Sequence, residues 1–293
     1  MRVFNDPKLM YEYSRKMKTR GKTIGFVPTM GALHEGHLSL IEAAKKNADI
    51  VVASIFVNPT QFGPGDDLAR YPRQTRKDKT FLENIGIDAL FLPDADKMYV
   101  KGFKTSVYIE SLSRKLCGKS RPEHFKGVAT VVAKLLNIVD PDLAFFGKKD
   151  YQQLLIIKAL AEELNFPTKI IGLPTVREYD GLAMSSRNSY LTQPERERAA
   201  NIFKLLQEAK SLIAQGEKNA YKILVRLRSI IGTVPGLRLE YLAIVDPETL
   251  EEVKTVKGQV LVALAANLGQ ARLIDNILVE EDGRWGGEKL VSH

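Results

Sequence analysis

Short apolar runs alternate with amphipathic stretches along the first part of the chain. Thr23–Val27 reads as a strand, and Gly36–Asn47 as the helix that follows it. Asp49–Val57 is apolar and β-branched, which predicts a buried strand. Arg73–Ile85 is polar with an apolar stripe, the pattern of a helix lying on a core, and Ile87–Leu92 is another strand. Thr105–Glu110 fits an extra strand of an inserted hairpin. Val128–Val139 then reads as a helix, Leu143–Phe146 as a strand, Tyr151–Asn165 as a helix and Thr168–Leu173 as a strand. Strands separated by helices predict a parallel sheet with right-handed crossovers.

The pattern changes after Leu173. Pro194–Gln215 and Ala220–Ile231 read as two consecutive helices. Arg238–Val245, Gln259–Asn267 and Arg272–Val279 read as three strands with no helix between them. This is the pattern of an antiparallel α+β unit. It predicts a domain boundary within Pro174–Ser189, and hence a larger domain over 1–175 and a smaller one over 176–293. The tail Glu281–His293 is polar and Gly-rich, and is expected to be loosely ordered.

Composition narrows the class. The chain has 293 residues, 44% of them hydrophobic and 27% charged, as in a soluble globular protein. No apolar run approaches the roughly 18–20 residues needed to span a membrane. The N-terminus lacks a signal-peptide core, so a cytoplasmic location is expected. The lone Cys117 excludes an internal disulfide and a multi-cysteine metal site, and is given no catalytic role. The net charge is +8, but the basic residues are spread along the chain rather than gathered in one arm. With no zinc finger or RNA-binding motif, small phosphorylated or carboxylated ligands are favoured over nucleic acid.

In an open parallel sheet, ligands bind outside the carboxyl ends of the strands. The segments that fall there are Pro28–His37, Asn58–Gly63, Gly147–Gln153 and Pro174–Glu178, the last followed closely by Met184–Asn188. The sharpest is His34-Glu35-Gly36-His37. Gly31 and Gly36 allow close backbone approach, the helix start offers free N–H groups to an anion, and two histidines three apart can share one face. The order is not His-Glu-x-x-His, so a zinc pair is disfavoured. Neither the GxGxxG fingerprint nor the phosphate loop is present. Simple helix capping by the histidines remains open. Lys149 can pair with phosphate and Asp150 with a metal or a hydroxyl, or the two can form a solvated pair. Ser185, Ser186 and Arg187 supply hydroxyls and a guanidinium fork suited to phosphate. Gln61 and Gln153 could hold a carboxylate without neutralising it, or could be structural.

Pro28–His37 resembles the HxGH nucleotide-binding signature of the class I synthetase and nucleotidyltransferase superfamily. Its fuller string PTMGALHEGH is similar to that of the pantothenate synthetase family. So are Asn58–Phe62 (NPTQF), Tyr71–Arg73 (YPR), Arg121–Gly127 (RPEHFKG), Phe145–Gln153 (FFGKKDYQQ) and Thr175–Tyr190 (TVREYDGLAMSSRNSY). The similarity runs from about Thr23 to Tyr190, with weaker signatures beyond.

The resemblance implies an α/β fold: a Rossmann-like N-terminal domain that binds ATP and pantoate, and a smaller α+β domain that closes over the site. It implies a ligase in the route to coenzyme A. Pantoate and ATP form a pantoyl adenylate and pyrophosphate; β-alanine then attacks the acyl group and AMP leaves. By the same resemblance His34, His37, Lys149 and Arg187 are catalytic, with His37 at the transferring phosphoryl. Met30, Gly31, Gly36, Gly147, Asp150, Val176, Met184, Ser185 and Ser186 complete the ATP site. Gln61 and Gln153 bind pantoate, Met30 packs near it, and Tyr71 and Arg121 line its pocket. Asp78 is implied as a ligand of Mg²⁺, and the protein as a homodimer with no nucleic-acid or membrane partner. One rival is a nucleotidyltransferase acting on a phosphorylated substrate, which would need another cationic site. A tRNA-binding protein would need an appendage that the sequence lacks.

Overall fold

Asp6 starts the first helix. Its carboxylate accepts the main-chain N–H of Lys8 at 2.9 Å, and Pro7 supplies a preset φ at the first helical position. This helix, α1 (Pro7–Lys18), follows a short strand, β1 (Arg2–Phe4). Neither element is marked in the apolar pattern read from the sequence. The computed structural model describes residues 1–284 and 289–290. Internal contacts divide the chain into two units. The first holds Met1–Arg114, Gly118–Lys148 and Gln153–Leu173; the second holds Lys115–Cys117, Lys149–Gln152 and the chain from Pro174.

The first unit continues with β2 (Ile24–Thr29), α2 (Glu35–Asn47), β3 (Ile50–Ile55), α3 (Thr75–Ile85) and β4 (Ala89–Phe91). The short turns α4 (Ala95–Met98), α5 (Glu110–Ser113) and α6 (Cys117–Ser120) precede α7 (His124–Val139), β5 (Leu143–Gly147), α8 (Tyr151–Glu163) and β6 (Lys169–Leu173). The sheet has six strands in the order β1-β4-β3-β2-β5-β6, every pair parallel. The fold class expected from the pattern is the one observed. Val27, Ile41, Ala53, Leu82, Leu90 and Phe145 form a dry core beneath the helices. A parallel sheet covered on its faces requires such continuous apolar strands.

The order places a switch point between β2 and β5. Successive strands β2, β3 and β4 build outward in one direction, and β5 and β6 in the other. Crevices form at such points, outside the carboxyl ends of the strands. Here those ends lead into Met30 and Gly147.

The expected strand at Thr105–Glu110 is absent. Residues 103–109 have no regular structure, and Glu110 begins α5. Its β-branched sequence finds no strand to pair with. Instead the Val107 N–H is satisfied by Thr130 Oγ1 at 2.9 Å.

The second unit contains β7 (Val176–Arg177), α9 (Gln193–Ala199), α10 (Asn201–Ala214), α11 (Ala220–Ile231), β8 (Leu237–Val245), β9 (Val260–Leu268), β10 (Ala271–Val279) and β11 (Lys289–Leu290). The single helix expected over Pro194–Gln215 is broken at Ala200. Strands β10-β9-β8 form an antiparallel sheet. Alternate β9 residues Val260, Val262, Leu264 and Ala266 pack with Ile202 and Leu206 of α10 and Ile223 and Leu227 of α11. That is the period-two face of a strand meeting the period-3.6 stripe of helices. The tail, expected to be loose, contributes β11, which pairs in parallel with β7. Residues 285–288 and 291–293 of that tail lie outside the described residues. Among the described residues no helix is long and apolar enough to cross a membrane.

Candidate active site

The loop after β2 is built from below. Thr29 Oγ1 donates to Ser54 O at 2.7 Å and accepts the Gly31 N–H at 3.1 Å. Gly31 has φ 83°, and the next residue, Ala32, is also left-handed at 51°. A left-handed alanine is strained and persists only where its surroundings hold it. Buried Asp78 of α3 does so: Oδ2 accepts the Ala32 N–H and Oδ1 the Leu33 N–H, both at 2.9 Å. Asp78 is thus engaged as a loop holder. Among the described residues no group of three or more His, Cys, Asp and Glu side chains could hold a metal.

His34 caps α2. Its Nδ1 accepts the Gly36 N–H at 3.1 Å, and His37 Nδ1 accepts the His34 N–H at 3.3 Å. Both rings are half-buried, with centroids 4.2 Å apart. An Nδ1 that accepts places the ring proton of neutral imidazole on Nε2. Each histidine therefore caps the helix through Nδ1. Capping through Nδ1 and a role for Nε2 are compatible, because they use different atoms.

In the same unit, the loop after β3 carries Gln61 in a single 3₁₀ turn, Pro59–Gln61. The Gln61 side chain is 8% exposed. Asn58 Nδ2 donates to its Oε1 at 3.2 Å, and its own Nε2 donates to Met30 Sδ at 3.0 Å. Two side chains hold the Gln61 carbonyl oxygen, Arg121 Nη2 at 3.3 Å and His124 Nδ1 at 2.8 Å. Arg121 also pairs with Asp66 at 2.7 Å. Burial raises the Asp66 carboxyl, but the Arg121 and Gly63 hydrogen bonds outweigh it and hold the group below the usual carboxylate range. Tyr71 is buried and meets Phe62 edge-on at 5.9 Å. Gln61, Met30 and Arg121 are thus joined directly, and Tyr71 packs on the residue after Gln61. Gln153 is half-buried in the first turn of α8.

In the second unit, Val176 starts a tight hairpin. Its carbonyl accepts the Met184 N–H at 3.0 Å, Arg177 bridges Ala183, and Glu178 N–H bonds Leu182 O at 2.8 Å. Ser185 caps the following 3₁₀ turn, Ser186–Tyr190, by accepting the Arg187 N–H at 3.3 Å. Asn188 ties that turn back to Glu178 at 2.7 Å. Lys149, Ala183, Ser185, Asn188 and Asp275 line one small cavity. Lys149 Nζ lies 3.8 Å from Asp150 Oδ2. Cys117 is buried, with its N–H held by Gln152 Oε1 at 3.1 Å and its Sγ accepting from Arg272 at 2.9 Å. It is part of the packing.

Asn58, His124 and Gly127 lie within the motifs read from the sequence, but sequence reasoning gave none of them a role of its own. Asn58 is a hub: it also accepts from Tyr99 OH at 2.8 Å and donates to Gly127 O at 3.1 Å. A Cβ on Gly127 would lie 2.3 Å from Thr60 O and 2.6 Å from Gln61 Cα. The glycine lets α7 press directly on the turn that carries Gln61. A glycine inside an otherwise apolar helix is the available signal.

A family model described as Pantoate-beta-alanine ligase matches residues 2–278. A pantothenate synthetase of Thermodesulfovibrio yellowstonii is 53% identical over 281 residues, 96% of this chain and all of the relative. One from Sulfurihydrogenibium sp. is 52% identical over 278 residues, 94% of this chain and 99% of the relative. The crystal structure of pantothenate synthetase from Thermus thermophilus superposes with a TM-score of 0.90 at 42% identity, covering 96% of this chain and 99% of that one. The pantoate-β-alanine ligase of Francisella tularensis, solved with Beta-gamma ATP and β-alanine, gives 0.78 at 36% identity, covering 95% and 97%.

Proposed function

The chain belongs to the pantoate-β-alanine ligase family, and from that premise we propose how its residues carry out the reaction. It joins pantoate to β-alanine with ATP. A pantoate carboxylate oxygen attacks the α-phosphorus, the bond to the bridging oxygen breaks, and pyrophosphate leaves. The β-alanine amine then attacks the acyl carbon of the adenylate, loses a proton, and AMP departs.

The observation that carries the residue assignment is the pair of capped histidines at the β2 end of the switch point. With Nδ1 of each ring committed to a main-chain N–H, His34 and His37 offer Nε2 donors to phosphate oxygens. Such donors, fixed before the reaction, favour the transition state in which charge shifts toward the leaving pyrophosphate. His37 acts at the transferring phosphoryl. Gly147 supports a close nucleotide: a Cβ there would meet nothing within 4 Å, so protein packing does not require the glycine. Met30, Gly31, Gly36, Asp150, Val176, Met184 and Ser186 are assigned to ATP. Lys149, Ser185 and Arg187 face its phosphates as cations and a hydroxyl.

Gln61 and Gln153 hold pantoate, with Met30, Tyr71 and Arg121 around the first of them. A neutral amide orients the carboxylate without stabilising its charge, which preserves the nucleophile. Mg²⁺ bound with ATP would neutralise phosphate charge, and it prefers phosphate oxygens and water as ligands. Asp78, whose oxygens accept the Ala32 and Leu33 N–H groups, is the side chain assigned to it. The ATP- and pantoate-binding domain is assigned to 1–175 and a smaller domain, which protects the adenylate from water, to 176–293. The protein is assigned as a cytoplasmic homodimer without nucleic-acid or membrane partners.

Product analysis with ATP, pantoate and β-alanine tests the reaction. Equal amounts of AMP and pantothenate are expected. ADP in place of AMP, or AMP formed without pantoate, overturns it.

A further inference from the structure

The largest fully buried side chain in the described protein is charged. Arg177, in β7, is wholly excluded from solvent, and Asp275 of β10 is 3% exposed. They form a two-pronged pair, Nη1 to Oδ2 at 2.6 Å and Nη2 to Oδ1 at 3.0 Å. The guanidinium also donates to Gly181 O at 3.0 Å and lies over the Phe203 ring, 4.3 Å from its centroid. Phe203 in turn fills the space beside Gly181, where a Cβ would come within 1.9 Å of the ring. The next residue, Asn276, donates its N–H to Asp275 (2.8 Å), and its Nδ2 donates to Lys149 O at 2.8 Å.

Burying an ion pair is a poor way to gain stability. Apolar replacement of both partners is often neutral or stabilising, because two ions need not then be stripped of water. What the pair supplies is direction. A guanidinium fork accepts a carboxylate in one plane, and β7 has only two residues with which to fix its own orientation. The pair holds the Val176–Met184 hairpin at its first strand, through Arg177 itself, and at its turn, through Gly181. Through Asn276 it reaches the main chain of Lys149. Asp275 lines the same cavity as Lys149 and Ser185.

We propose that Arg177, Asp275 and Asn276 form a positioning relay for ATP, which fixes the hairpin and the Lys149 backbone in one geometry. The proposal rests on the assignment of Val176, Lys149 and Ser185 to the nucleotide. None of the three relay residues needs to touch substrate. Misplacement of a binding group by about 1 Å is enough to reduce a rate about a hundredfold.

The test uses the intact protein in three forms: the double variant Arg177→Met with Asp275→Leu, the single variant Asn276→Ala, and Lys149→Ala as reference. Melting temperature and the separate KM values for ATP and pantoate in adenylate formation are measured. The double variant is expected to melt within a few degrees of the parent, with the ATP KM raised about tenfold or more and the pantoate KM within about twofold. Asn276→Ala, which keeps the ion pair, is expected to raise the ATP KM several-fold with little change in melting. It decides the matter if the double variant fails to fold. An unchanged ATP KM in Asn276→Ala, or equal rises for both substrates, overturns the relay. Lys149→Ala with an unchanged ATP KM overturns the nucleotide assignment itself. A raised ATP KM in Lys149→Ala alone overturns only the relay.

Discussion

The His37 ring accepts the main-chain N–H of His34 through Nδ1, at 3.3 Å. One imidazole thus completes a helix cap through Nδ1, while Nε2 is the atom proposed to meet phosphate. The two tasks can be separated by substitution. The oxygen of an asparagine can replace Nδ1, whereas the longer glutamine places an N–H near Nε2. His37→Ala should lower adenylate formation by roughly two to three orders of magnitude. His37→Gln should retain more of that rate than His37→Asn, and His37→Asn more of the melting temperature. Rapid-quench kinetics and thermal melting read the two effects. Equal rates for Asn and Gln would remove Nε2 from the chemistry.

Asp78 holds the left-handed Ala32 through a bond that spans 46 residues of sequence. In Asp78→Asn one carboxylate oxygen becomes an NH₂ facing a main-chain N–H. Leaving that donor unsatisfied costs about 1–3 kcal/mol. The variant should melt lower and adenylate more slowly, with its Mg²⁺ dependence unchanged. A shift of the Mg²⁺ titration to higher concentration would show that the carboxylate also serves the metal.

Gly127→Ala would drive a methyl group into the Thr60 carbonyl, 2.3 Å away. The 3₁₀ turn must move, and Gln61 with it. The pantoate KM should rise about tenfold, while ATP affinity stays within a few-fold. Separate titration of the two ligands checks this. Parallel losses for both would mean that the variant acts through general destabilisation.

Gln61→Ala and Gln153→Ala should each raise the pantoate KM and slow adenylation, again with ATP affinity within a few-fold. In Gln61→Ala the Met30 sulfur also loses its donor, so a small part of the effect is loss of packing. A lower melting temperature with unchanged pantoate affinity would make either amide structural.

Acid should weaken the second unit through Asp180. Burial raises its carboxyl, but Arg196 and the Leu182 N–H outweigh burial and hold it below the usual range. A carboxylate with a depressed folded pKa stabilises the fold above its unfolded value of about 3.9, and that contribution disappears as pH falls through the folded value. Parent and Asp180→Asn should therefore differ in melting temperature at pH 7 and converge as pH falls through the folded value. A difference that persists there would point to packing rather than charge.

Much of the architecture is legible in the chain because strands such as Ile50–Ile55 are apolar throughout, and helices such as Thr75–Ile85 carry one stripe. The helix Pro7–Lys18 is harder to read: its buried positions are Met10, Tyr13, Ser14 and Met17, a stripe interrupted by serine. Thr105–Glu110 misleads in the opposite way, because β-propensity is realised only beside a partner strand. Motifs mark Gln61 and His37 as candidates. Asn58 opens the same motif as Gln61, but its role is hidden because its partners Tyr99 and Gly127 lie 41 and 69 residues away. Nothing near Arg177 in sequence announces its aspartate.

That last separation matters while the protein is being made. Arg177 and Asp275 are 98 residues apart. At about 5–20 residues per second on the ribosome, synthesis of the intervening chain takes about 5–20 s. The first six-stranded sheet ends at Leu173, so its strands have all been made before Arg177 emerges. Throughout that interval the carboxylate that Arg177 pairs with in the fold has not been made. The Val176 hairpin acquires its final form only when β10 arrives, and its pairing with Lys289–Leu290 later still. A nascent chain stalled or truncated before Asp275 would carry a complete first sheet and an unfinished Val176 hairpin.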